Sequence, residues 1–294
     1  MMVSKIERVI FRKKIKKNVS LYFFQLVLPL LLVGCTKEPL HLNGVAHTHP
    51  YHIQVGHSLS YNEKKEVIRL INEVFVEIDE TYNHWNPNSE LSRDLSTPKI
   101  KAILSLAHSF YEITEGWYDP TLGRPIKIFK ETGTLPSGST PTAYDLDGML
   151  KGFTIDLILK TLSQRGYHNL YVEWGGDMRT RGNHPSGRPW RILVDEKPLA
   201  LIDRALATSG CQEQLWDIEN HTYTHIIDPH TLKMVEVKKG HVHKVSVLAS
   251  TCALADALAT ACMACGSLEK AYLFAKKIKK KYPEVEFWIT SYEL

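Results

Sequence analysis

The sequence predicts an α+β fold in one compact unit. Strand-like runs come in groups and do not alternate regularly with helices, a pattern that favours α+β over a doubly wound parallel sheet. Five segments carry apolar residues at helical spacing. With 44% hydrophobic and 23% charged residues in 294, the chain can bury a sizeable core. No internal repeat interrupts it.

The first 34 residues stand apart from this unit. Lys5, Arg8, Arg12, Lys13, Lys14, Lys16 and Lys17 precede an apolar run at 21–33, broken only by Gln25 and Pro29. This is the shape of a secretory signal. The run falls short of the roughly 20 apolar residues that a membrane span needs. It ends in Leu32-Val33-Gly34-Cys35, which resembles the bacterial lipoprotein lipobox and implies cleavage before Cys35 and lipidation of its thiol. The competing reading is an uncleaved anchor helix with Cys35 incidental, and both readings put the folded part outside the cytoplasm. Residues 1–34 are then a signal peptide, 35–44 a lipid-anchored tether and 45–294 the folded domain. Loss of seven cations and one anion with the leader lowers the formal charge from +4 to −2. The basic pI therefore reflects targeting and does not point to nucleic acid.

The folded region opens with a strand at 51–55. A helix at 62–82 follows, with Val67, Leu70, Ile71, Val74, Phe75 and Ile78 on one face, and a second at 98–115 carries Ile100, Ile103, Leu104, Ala107, Phe110 and Tyr111. Gly, Pro, Ser and Thr dominate 131–142, which reads as a loop. A helix at 151–164 leads into strands at 168–174, 190–194, 223–227 and 244–249. An Ala/Leu-rich helix around Asp256, a basic helix at 268–280 and a strand at 285–290 complete the order. Lys276, Lys277, Lys279, Lys280 and Lys281 read as a solvated helix end that opposes the helix dipole.

The chemistry is concentrated in two segments, Asp145-Leu146-Asp147-Gly148-Met149-Leu150-Lys151-Gly152-Phe153-Thr154-Ile155-Asp156 and Ala253-Leu254-Ala255-Asp256-Ala257-Leu258-Ala259-Thr260. Asp256 and Thr260 are four apart on a helix, so a carboxylate and a hydroxyl share one face. Oxygen-only ligation suits Mg²⁺, which keeps its remaining positions for water and substrate phosphates. Trp117-Tyr118-Asp119-Pro120-Thr121 joins two rings to an acid just after a helix, where a planar ligand could stack. Trp174-Gly175-Gly176-Asp177 permits either close approach of a ligand to the backbone or a tight turn. Cys262-Met263-Ala264-Cys265 has redox or zinc spacing but lies in an apolar helix without a second pair, so its cysteines read as small buried hydrophobes.

In their order and spacing these pieces, with Ser89-Glu90-Leu91-Ser92, Ala207-Thr208-Ser209-Gly210 and His225-Ile226-Ile227-Asp228-Pro229, resemble the ApbE family of FAD:protein FMN transferases from about residue 50 to the C-terminus. The family's Met-Gly-Thr element is replaced here by Ala46-His47-Thr48-His49. The resemblance implies a T-fold-related unit of mixed and antiparallel sheets flanked by helices. It implies that FAD binds with its pyrophosphate against Mg²⁺, and that a Thr or Ser hydroxyl of a client flavoprotein takes FMN as a phosphoester, releasing AMP. By the same carry-over the metal is held by Asp256, Thr260 and backbone oxygen at Gly148 or Ala253. Trp85, Trp117, Tyr118, Asp119, Asp145, Lys151 and His225 contact FAD, and His225 or Asp256 acts as the base. The family's clients include membrane-bound subunits such as those of a Na⁺-translocating NADH:quinone reductase, and its members are often lipid-anchored at the periplasmic face of the bacterial inner membrane. Two other readings stay open at this point: an FAD pyrophosphatase yielding free FMN and AMP, and a non-enzymatic flavin- or metal-binding lipoprotein using the pairs His47/His49 or His241/His243.

Overall fold

The computed structural model describes residues 39–132, 143–210, 215–218 and 220–292. The leader, Cys35, Cys211 and most of the loop at 131–142 lie outside the described residues. Two units divide the chain at Glu38, and the second, from Pro39 onward, contains every described element.

Its centre is a seven-stranded sheet in the order β1 (Leu40–Ala46), β2 (His49–Val55), β3 (Leu170–Trp174), β4 (Asp177–Arg181), β7 (Ala205–Gly210), β11 (Val242–Ala249) and β12 (Glu286–Ser291). Every neighbouring pair is antiparallel. The hairpin β5 (Trp190–Val194) and β6 (Lys197–Leu201) is separate, as is a three-stranded sheet of β10 (Lys233–Glu236), β9 (His221–Asp228) and β8 (Leu215–Ile218).

Period-two alternation gives the central sheet two apolar faces. Ala205 and Ala207 on β7, with Val245, Val247 and Ala249 on β11, join the main core, whereas Leu206 and Leu248 point the other way. Those two leucines meet Trp190, Ile192, Val194 and Leu201 of the β5–β6 hairpin in a smaller second core. On the main face lie α1 (Tyr61–Glu77), α5 (Asp147–Gln164) and α6 (Cys252–Ala264), with α3 (Pro98–Ile113) and α7 (Leu268–Lys281) around them. Short α2 (Glu90–Arg93) and α4 (Gly123–Thr132) complete the helices of the described residues.

The helix starts follow their caps. Ser60 and Glu63 form a reciprocal capping box at α1, and Thr97 caps α3 ahead of Pro98 in the first turn. The α6 start is capped twice. Thr251 accepts the Leu254 amide, and Asp156 on α5 accepts the amides of Cys252 at 2.9 Å and Ala253 at 3.0 Å. A carboxylate there also complements the helix dipole. Arg179 donates to the same carboxylate at 2.6 Å; burial raises the Asp156 pKa, opposed by Arg179 and these amides.

The structure corrects several boundaries. Residues 40–44, assigned to the tether, form most of β1: Leu40, Leu42 and Gly44 take the inward positions, and a glycine among them hides the alternation. A Cβ on Gly44 would stand 2.5 Å from the Tyr51 ring, so this inward position has no room for a side chain. The helix expected over 62–82 is α-helical only to Glu77. Its last turn, Ile78–Tyr82, widens so that the Asn83 amide donates to the Ile78 carbonyl at 3.1 Å. Helix α5 starts at Asp147, four residues before the expected 151, because Asp145 accepts the Asp147 amide at 2.8 Å and takes the place of a side-chain cap. Strands β4, β6, β7, β8 and β10 and helices α2 and α4 had not been expected; the strands are only four to six residues long and lack a long apolar run, and β7 was read only as the Ala207-Thr208-Ser209-Gly210 motif.

Candidate active site

The ends of these elements converge on a cavity of about 830 Å³. It is lined by the β1–β2 turn, the wide turn after α1, the segment between α3 and α4, the start of α5, the ends of β3 and β7, the middle of β9 and one face of α6.

Gly152 sets the approach of α5 to α6. A Cβ there would lie 2.3 Å from the Cys252 carbonyl oxygen, a contact that backbone cannot relieve. The Gly152 amide donates to Asp256 Oδ2 at 3.0 Å, and Asp256 is only 3% exposed. One turn on, Thr260 Oγ1 lies 3.4 Å from both the Gly148 carbonyl and Ser209 Oγ. Asp256 and Thr260 lie one helical turn apart on α6, and the Gly148 carbonyl of α5 lies against Thr260. Ala253 is different: its amide is spent on Asp156, and it is not among the residues lining the cavity.

Tyr118 lies beside Gly148, with ring carbon Cε2 3.2 Å from where a Cβ on that glycine would stand. Its hydroxyl is buried and has no hydrogen-bond partner among the described residues. Burial pushes the phenol well above its ordinary pKa, and the carboxylates of Asp145, Asp256, Asp147 and Asp119 add to the shift in that order. Asp119, Asp145, Asp147 and Asp256 all line the cavity with it, so this corner carries negative charge that favours a cation. The oxygen donors of Asp256, Thr260 and Gly148 fit a hard divalent ion such as Mg²⁺.

The remaining expected residues also line the cavity: Trp85, Trp117, Asp119, Asp145, Lys151 and His225. Asp119 is held by its own loop, since Oδ1 accepts both the amide and the hydroxyl of Thr121 at 2.8 and 2.7 Å. Trp117 packs edge-on to His230, with ring centroids 4.4 Å apart. Trp85 is anchored from two sides. Its indole N–H donates to Asp147 at 2.9 Å, and its amide donates to Asn83, which with Asn86 is tied to Asp79 in the wide turn.

Asp177 explains both Lys151 and the Gly-Gly pair. Its carboxylate is fully buried, lies 3.3 Å from Lys151 Nζ and accepts the Thr208 amide at 2.9 Å. Gly175 and Gly176 have φ of +59° and +89° and close the two-residue β3–β4 turn, so the tight-turn reading accounts for them. The companion turn between β1 and β2 uses His47 and Thr48 at φ +46° and +75°, where side chains are strained. His47 is held there by its Nε2 contact of 3.0 Å to the Phe75 carbonyl. Both residues line the cavity with His49.

Comparison with known proteins fixes the family. A family model described as ApbE family matches residues 139–285. A protein of Chlamydia trachomatis named FAD:protein FMN transferase is 35% identical over 87% of this chain and 94% of its own length. The chain belongs to the ApbE family. A Vibrio cholerae ApbE relative of the same name is 29% identical, over 81% of this chain and 85% of its own. The ApbE fold is matched by the solved apo structure of Pseudomonas stutzeri flavinyl transferase ApbE, with a TM-score of 0.74 and 18% identity over 87% of this chain and 92% of that one. The ApbE protein of Thermotoga maritima superposes with a TM-score of 0.71 at 22% identity, over 86% of this chain and 94% of its own.

Three features in or beside this ApbE cavity had no sequence assignment as site residues. His84 and Asp147 stand by Asp145, and Thr208 and Ser209 come from β7. Asp147 and the Thr-Ser pair lay inside motifs already singled out, but His84 had no signal beyond its place beside Trp85. Of the histidine pairs, His47/His49 lines the cavity, whereas His241 Nδ1 lies 2.7 Å from the Glu236 carbonyl and His243 packs on Tyr292. Among the described residues neither pair belongs to a three-ligand cluster. The three described cysteines, Cys252, Cys262 and Cys265, are free thiols and buried, as expected for space-filling residues.

Proposed function

We propose that this chain is a Mg²⁺-dependent FAD:protein FMN transferase that acts, lipid-anchored through Cys35, at the periplasmic face of the bacterial inner membrane. The observation that carries the reading is one cavity of about 830 Å³ in which Trp117 and Tyr118 meet the oxygen set of Asp256, Thr260 and Gly148. That volume suits a large, partly aromatic ligand. The curated relatives carry the same enzyme name.

The isoalloxazine ring is assigned to Trp117, Tyr118 and Trp85, and the pyrophosphate to the neighbourhood of Asp256 and Thr260 and of Lys151 at the start of α5. Lys151, held by Asp177, adds a positive charge on that side. Asp256, Thr260 and the Gly148 carbonyl would hold Mg²⁺, which would supply charge neutralisation on the pyrophosphate and its AMP leaving group. His225 accepts the proton of the client's Thr or Ser hydroxyl as its oxygen bonds to the phosphorus on the FMN side; the bond to AMP breaks and AMP leaves with the electron pair. Positioning and electrostatics do most of the work in such a transfer.

Hydrolysis of FAD is the second reading, favoured by one observation. The cavity mouth is open, with Trp85 39% exposed and the Asp147 side chain 51% exposed, so water reaches it when no client is docked. The two are separated by following AMP release from FAD and Mg²⁺ with and without a threonine-bearing flavoprotein subunit. A transferase releases AMP in step with loss of that subunit's free hydroxyl. AMP release at the same rate without the subunit, with all FMN in solution, is the outcome for a pyrophosphatase.

A further inference from the structure

Asp145 and Asp147 line the cavity and His84 stands beside them, and one ligand atom from each of the three falls within 4.8 Å of the others. His84 Nδ1 is 3.8 Å from Asp145 Oδ1 and 3.6 Å from Asp147 Oδ1. Both separations exceed a hydrogen bond. They approach the spacing of two ligands on one ion, since bonds of about 2.1 Å in a tetrahedral arrangement put ligand atoms about 3.4 Å apart.

The surroundings keep these groups in place. Asp145 is 8% exposed, its amide donates to the Pro120 carbonyl at 2.7 Å and its Oδ1 accepts the Asp147 amide. Asp147 accepts the Trp85 indole N–H, and the Trp85 ring packs on His84 with centroids 4.4 Å apart. A neutral imidazole with two carboxylates carries two negative charges, the complement of a divalent ion.

A second, independent observation points the same way. The Tyr118 side chain is 3% exposed, its hydroxyl has no partner among the described residues, and its ring lies beside Gly148, the residue after Asp147. A buried phenol left without a partner there would be satisfied by a water on an ion held at the start of α5.

We propose that His84, Asp145 and Asp147 form a second divalent-cation site, distinct from the oxygen set of Asp256 and Thr260 and selective for a transition metal over Mg²⁺. The imidazole sets the selectivity, because nitrogen ligation suits Zn²⁺, Fe²⁺, Co²⁺ and Ni²⁺, whereas Mg²⁺ takes oxygen. The site goes beyond the transferase reading and does not depend on it, since its occupancy is measured without FAD.

The probe is Co²⁺, added to the metal-free, FAD-free full chain carrying Asp256→Asn, which disables the other site while retaining an acceptor for the Gly152 amide. The expected result is one Co²⁺ per chain, with visible d–d absorption of mixed nitrogen and oxygen ligation and quenching of tryptophan fluorescence through Trp85. An excess of Mg²⁺ of about 100-fold should not displace it. Adding His84→Ala should weaken binding at least about tenfold and alter the absorption bands. Asp147→Asn, on an exposed side chain and able to keep the Trp85 hydrogen bond, should weaken it similarly even if the His84 variant folds poorly. No saturable binding, binding unchanged by both substitutions, or displacement by equimolar Mg²⁺ would overturn the proposal.

Discussion

Asp256 has a structural and a chemical task, and the two separate by substitution. Its Oδ2 accepts the Gly152 amide, so Asp256→Ala leaves a buried N–H without its acceptor and costs about 1–3 kcal/mol. Asp256→Asn restores an acceptor and should melt close to wild type. Both variants should lose at least about 100-fold in AMP release from FAD, because a charged ligand is gone in each. Full Mg²⁺-dependent turnover in Asp256→Asn would remove this residue from the metal site. Asp177 gives the complementary case, a carboxylate that works through its neighbours. It pairs with Lys151 and accepts the Thr208 amide while fully buried, so Asp177→Ala should destabilise by about 3–5 kcal/mol in urea unfolding. A change below about 1 kcal/mol would show that this pair is not what ties α5 to β7.

At the level of elements, the contact between α5 and α6 positions the chemistry, and it depends on one missing side chain. Gly152→Ala would drive a methyl into the Cys252 carbonyl, displacing the helix that carries Asp256 and Thr260. We expect a stability loss of about 1–3 kcal/mol and a larger fractional loss of FAD cleavage. Wild-type activity would mean that the helix spacing is not limiting. The sequence made these two helices legible because Asp256 and Thr260 share a face at four-residue spacing and the apolar run around them is long. It also showed Trp117, Tyr118, Asp145, Lys151 and His225, each inside an ordered motif of the family. It did not show β1, whose inward row contains Gly44, nor the wide turn at Ile78–Tyr82, whose apolar pattern continues the helix before it. His84 was hidden for a different reason: it meets Asp145 and Asp147 only when the wide turn folds back on α5, a contact that no local pattern encodes. The cysteine pair Cys262/Cys265 was readable from its apolar setting. Burial pushes the Cys265 thiol up to about 12 and Cys262 well above its ordinary value, so neither should react with a thiol reagent until the protein unfolds.

For the molecule as a whole, the two cores hold phenols that resist ionisation, Tyr82 in the main core and Tyr171 against the smaller one. Burial pushes Tyr82 and Tyr171 up to about 12 from the ordinary 10, with Glu77 and Glu173 respectively adding to the effect. A raised folded-state pKa means their contribution to stability is fully present below pH 10 and is lost as pH rises through about 12. Alkaline titration at the tyrosinate absorption band should therefore show these phenols titrating together with unfolding. Smooth titration of all tyrosines near pH 10 with the fold intact would contradict their burial. No helix among the described residues is long and apolar enough to cross a membrane. The lipid on Cys35 belongs to the function proposed above and has its own test: Cys35→Ala should accumulate as an uncleaved, unacylated precursor, and normal maturation would exclude that anchor. The central claim is that one cavity cleaves FAD and hands FMN to a protein hydroxyl. Its most direct measurement is the intact mass of a threonine-bearing client subunit after incubation with the full chain, FAD and Mg²⁺. The account predicts a client heavier by one FMN, lost when its acceptor threonine is replaced or when the enzyme carries Asp256→Asn; an unmodified client beside free FMN and AMP would contradict it.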